Sequence, residues 1–83
     1  MDNETRQRLL YRELRSHFDR TDLRLTTLPG DGARITYVPN NITVESDRHE
    51  TLLENRIQCL VDIIVQLGIA KTGLGPQGER QPN

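Results

Sequence analysis

Five aliphatic residues, Leu53, Ile57, Leu60, Ile64 and Leu67, recur at alternating spacings of four and three. A spacing that averages 3.5 keeps one face of a helix turned toward a partner helix. Isoleucine at a with leucine at d favours two parallel strands. The expectation is a long C-terminal helix, residues 47–67, that assembles with a second copy of itself. Val61 and Ile63 flank the seam and Val65 lies beyond it. That apolar surface is wider than a simple seam, so the helix is expected to bury a further face against its own domain.

Chain length makes assembly a natural source of stability. At 83 residues a single hydrophobic core is small relative to the entropy it must offset. A lone cysteine, Cys59, forms no intrachain disulfide, and no cysteine–histidine cluster has metal-ligand spacing. Oligomerisation is the remaining staple, and a homo-oligomer, a dimer, is expected.

Residues 4–18 read as an N-terminal helix, with Leu10, Leu14 and Phe18 four apart and Tyr11 beside them. Asp2 and Asn3 can cap its start. Residues 22–28 and 33–38 then alternate, with Pro29-Gly30-Asp31-Gly32 between them, the pattern of a β-hairpin. Placing Leu23, Leu25 and Thr27 on one face with Ala33, Ile35 and Tyr37 requires partners whose numbers sum to an even value. The loop therefore has an odd number of residues, such as Gly30-Asp31-Gly32. Arg24, Thr26, Arg34 and Thr36 fall on the other face.

Pro39-Asn40-Asn41 is a second turn signal, and residues 42–44 can add a brief third strand. Ser46 or Asp47 is positioned to cap the long helix, with Glu50 completing a capping box from Asp47. Gly68 reads as its stop. The fold class is α+β, ordered α-β-β-α with the optional third strand, in a single domain over residues 1–71. Residues 72–83 lack periodicity and are rich in helix breakers, so they are expected to be a disordered tail.

Candidate chemistry is sparse. His17 and His49 sit at helix ends with no nucleophile elbow or triad pattern around them. Cys59 lies among apolar neighbours, the setting of a buried, inert thiol. Gly30-Asp31-Gly32 lacks the strand-to-helix context of a phosphate loop. Asn41-Ile42-Thr43 matches a glycosylation acceptor, but the opening Met1-Asp2-Asn3-Glu4 does not read as a secretory leader, so a cytoplasmic protein is expected. No catalytic residue, metal or cofactor is expected, and no membrane association.

A binding function follows: a regulatory or inhibitory adaptor that occludes a surface of another protein. The alternative is recognition of nucleic acid or a nucleotide through Arg8, Arg12 and Arg15 on the first helix and Arg24 and Arg34 on the hairpin. A net charge of −1 and the acidic residues Glu4, Glu13, Asp19 and Asp22 oppose it by neutralising that field. A double-stranded-RNA-binding module would carry a basic cluster where Asp47-Arg48-His49-Glu50 stands. A structural assembly subunit is the third reading.

Overall fold

The computed structural model describes residues 2–72. Helix α1 (Asn3–Arg15) leads to three strands, β1 (Leu23–Leu28), β2 (Gly32–Tyr37) and β3 (Ile42–Ser46), and helix α2 (Leu52–Thr72) closes the chain. The α+β class and the order read from sequence are present, with the third strand formed and extended to Ser46. The strands make one antiparallel sheet in the order β1-β2-β3.

Register follows the alternation. Leu23 pairs Tyr37, which pairs Ile42; Leu25 pairs Ile35, which pairs Val44; Thr27 pairs Ala33, which pairs Ser46. These rows form the inner face, where Leu23, Ala33, Ile35 and Val44 are buried with Cys59, Leu60 and Ile63 of α2. Ile35, Leu60 and Ile63 have no exposed surface. Burying each such side chain stabilises the fold by about 1.5–3 kcal/mol. At its centre Ala33 and Cys59 are small enough to let α2 approach closely, with Cys59 Sγ 3.6 Å from the Ala33 carbonyl oxygen, while Tyr11, Phe18 and Tyr37 pack against its margin.

The first turn has three residues, as the parity argument required, but they are Pro29-Gly30-Asp31 rather than Gly30-Asp31-Gly32. Gly30 and Asp31 take positive φ values of 74° and 63°. Glycine does so without a Cβ clash, and aspartate tolerates the left-handed region better than most residues. Gly32 instead opens β2, where an added Cβ would lie 3.3 Å from Leu28 Cβ and 3.4 Å from the Ser46 carbonyl oxygen.

α1 begins at the expected cap, with Thr5 N–H donating to Asp2 Oδ1 at 2.7 Å. That bond holds the Asp2 carboxyl below its usual range. It ends at Arg15, three residues before the expected Phe18. Ser16, His17 and Phe18 donate to carbonyls three back, at Glu13, Leu14 and Arg15, tightening the chain into turns. Tyr11, Leu14 and Phe18 pack against the core, whereas Leu10 stays 45% exposed. Phe18 meets Tyr37 edge-on, ring centroids 5.6 Å apart.

α2 departs from expectation at both ends. It starts at Leu52 rather than Asp47, and it runs through Gly68 to Thr72. Its capping box is Thr51 with Glu54: Glu54 N–H donates to Thr51 Oγ1 at 3.1 Å, and Thr51 N–H donates to Glu54 Oε1 at 3.3 Å. Among the described residues, no helix is long and apolar enough to cross a membrane. The tail expected over 72–83 lies outside them, save Thr72, which belongs to α2.

Candidate functional site

The late start of α2 is set by one buried side chain. Asn55 has no exposed surface, and its amide is fully paired. Oδ1 accepts from Ser46 Oγ at 2.9 Å and from His49 N–H at 3.0 Å. Nδ2 donates to the Asp31 carbonyl at 2.9 Å and the His49 carbonyl at 3.1 Å. These bonds hold both backbone groups of His49 outside a helix, which is why Asp47 and Glu50 cap nothing. They also tie the β1–β2 turn, the end of β3 and α2 at one point. A polar Asn55 in register with the buried Cys59 and Ile63 is the sequence signal that could have revealed this.

From that anchor His49 is placed beside α2. Its Nε2 lies 3.2 Å from Gln58 Oε1, and Gln58 Nε2 donates to Asp62 Oδ1 at 3.0 Å. Arg48 reaches the other Asp62 oxygen at 3.9 Å. Of these polar groups, His49 and Gln58 line a cleft beside α1 and Asp62 lines a different one beside β3, so they do not converge on a single cavity.

α1 and α2 lie side by side and run in the same direction. At their starts, Gln7 Nε2 donates to Glu54 Oε2 at 3.1 Å. With Thr51, Gln7 holds the Glu54 carboxyl below its usual range. Asn3, Glu4 and Gln7 share a cleft with Leu53 and Glu54; Gln7 and Leu10 share the next with Ile57, Gln58 and Val61; His17 and Phe18 share the third with Ile64, Leu67 and Gly68. The outer surface of the helix pair is therefore a groove of three clefts, the first two sharing Gln7 and Glu54 and the third lined by a separate set of residues. Leu10 and Val61 both line its middle cleft, at 45% and 37% exposure.

The heptad residues divide between two environments. Leu60 is wholly inside the chain's own core and Leu67 packs against that core. Leu53, Ile57 and Ile64 are half-buried along the groove. The parallel helix lying along this seam within the protein is α1, and the outer side of the pair is left open.

The arginines do not converge. Arg24 and Arg34 lie on the outer face of the sheet, because their inner-face neighbours Leu23, Ala33 and Ile35 are buried. Arg34 is paired there with Glu45 at 2.6 Å. The α1 set belongs to the opposite layer: Arg8 pairs Glu4 at 2.7 Å, Arg15 donates to the Tyr11 hydroxyl at 3.1 Å, and Arg12 is exposed.

Burial pushes the Cys59 thiol up to about 11, leaving it protonated and unreactive at neutral pH. His17 is exposed, 3.9 Å from Glu13. Among the described residues, no group of three or more histidines, cysteines and carboxylates could hold a metal ion. No family model, curated protein or solved structure matches the chain.

Proposed function

We propose that the protein is a binding adaptor that regulates or inhibits another protein by covering part of its surface, and that it self-associates as a homodimer. The observation that carries this reading is that Leu10 and Val61, both exposed, line one cleft with Ile57. Apolar side chains aligned along a helix pair gain free energy when a second apolar surface covers them. The groove takes the place of the five-residue heptad seam, since Leu60 is already enclosed.

Sedimentation equilibrium of the full chain from micromolar to millimolar concentration tests the self-association. The wild type should be a dimer, and Val61→Asp should be monomeric with an unchanged circular dichroism spectrum, because Val61 lies outside the core. A wild type that stays monomeric throughout removes the dimer. Capture from the native host with both forms as bait tests the adaptor role: a partner held by the wild type and lost from Val61→Asp supports it. Nucleic acid or nucleotide held through Arg24 and Arg34, with binding that weakens steeply as salt rises, replaces it.

A further inference from the structure

Each edge of the sheet is a row of backbone donors and acceptors, and the two edges differ. β3 has β2 on one side only among the described residues. An antiparallel edge strand leaves the N–H and C=O groups of alternate residues pointing outward without a ladder partner. Ile42-Thr43-Val44-Glu45-Ser46 contains no lysine or proline, the residues that most often blunt such an edge, and Glu45 is its one charged side chain. β1 carries Arg24 and runs straight into Pro29.

Beside β3 the helix overhangs. Val44 and Glu45 share an open cleft with Asp62, Val65 and Gln66 of α2, and Val65 is 53% exposed. A strand laid along β3 would find backbone partners on one side and Val65, flanked by Asp62 and Gln66, above its inward side chains. We infer that this groove between β3 and α2 binds an extended peptide segment as a fourth strand, one that alternates apolar and basic residues.

The alternation is dictated by the rows already present. Residues of an added strand that lie beside Ile42, Val44 and Ser46 point inward, under Val65, and favour apolar side chains. Residues in the next row point outward. There Thr26, Arg34 and Glu45 lie across the three strands in order, and Arg34 engages Glu45 from one side. A lysine or arginine opposite Glu45 continues the alternation of charge, whereas a carboxylate there would face a like charge. Asp62 adds a second carboxylate to the cleft. This surface is separate from the α1–α2 groove, and the inference stands apart from the proposed dimer.

The test uses the full-length chain and an end-blocked Val-Lys-Val-Lys-Val peptide, with Val-Glu-Val-Glu-Val as its counterpart. The lysine peptide should shift backbone amide resonances of residues 42–46 and 62–66. The glutamate peptide should bind roughly tenfold more weakly, from the loss of favourable cross-strand pairs and the gain of unfavourable ones. Glu45→Lys should invert that preference, and N-methylating one alternate set of peptide amides should abolish binding while the other set is tolerated. In the free protein, the outward amides of β3 should exchange quickly with solvent. Absent shifts at millimolar peptide, equal binding of both peptides, shifts confined to the α1–α2 groove, or slow exchange of those amides would each overturn the inference.

Discussion

Asn55 shows how much one side chain can organise in a chain of this size. Four hydrogen bonds satisfy its amide completely, so its burial carries no unpaired polar group. Removing it leaves the Ser46 hydroxyl, the two His49 backbone groups and the Asp31 carbonyl without that partner. Asn55→Ala should therefore destabilise the protein by about 2–4 kcal/mol, more than a cavity of that size alone. Urea unfolding measures it, and a loss below about 1 kcal/mol would mean that water takes over the bonds. Cys59 supplies a pH signature. Burial pushes its folded thiol up to about 11, above the unfolded value of 9.0. The stability that comes from keeping it neutral is complete below the unfolded value and is lost as pH rises through the folded one. Melting temperature should fall across that alkaline window, and Cys59→Ala should flatten the fall. An equal slope in the variant would place the titrating group elsewhere.

Among the elements, α2 is fixed by its caps rather than by its apolar pattern. The reciprocal bonds of Thr51 and Glu54 predict that Thr51→Ala costs about 1 kcal/mol. Asp47→Ala, at the position the sequence favoured for the cap, should cost nearly nothing. The opposite ranking in urea melts would restore the earlier helix start. Gly68 offers the reverse opportunity. It is helical, exposed, and has nothing within 4 Å of where a Cβ would stand. Gly68→Ala should stabilise the protein by about 0.5–1 kcal/mol through the entropy of the unfolded chain. A destabilised variant in the same assay would show that the helix does not continue through this position under those conditions.

For the whole molecule, two helices cover one face of a sheet and leave three surfaces open: a groove between the helices, polar at Glu4, Gln7 and Glu54 and apolar at Leu10, Ile57 and Val61, the cleft beside β3, and a polar outer sheet face. The proposed dimer uses the first. Because that groove is apolar at Leu10, Ile57, Val61 and Ile64, its association constant should change little with added salt, as apolar contact is not screened. Sedimentation at low and high ionic strength checks this, and a steep loss at high salt would move the interface to the arginines. Replacing Arg24 and Arg34 together with glutamine should leave the association constant unchanged, since both lie in the opposite layer.

Local pattern alone determined the helix at each end, the hairpin, the odd-numbered turn and which strand residues face inward. Period and parity are properties of neighbouring residues, and Leu23, Ala33 and Ile35 needed no knowledge of what would cover them. The tertiary structure decided the rest. A heptad seam specifies that a parallel helix should lie along it but not whose helix that is, and here α1 of the same chain does so. Leu60 and Leu10 show the same limit: one is enclosed and the other exposed because of how the two helices seat, which their spacing does not encode. Asn55 is the sharpest case. Its partners are separated from it by up to 24 residues, so only the folded chain brings them to the amide, and only then is Thr51 rather than Asp47 left to begin the helix.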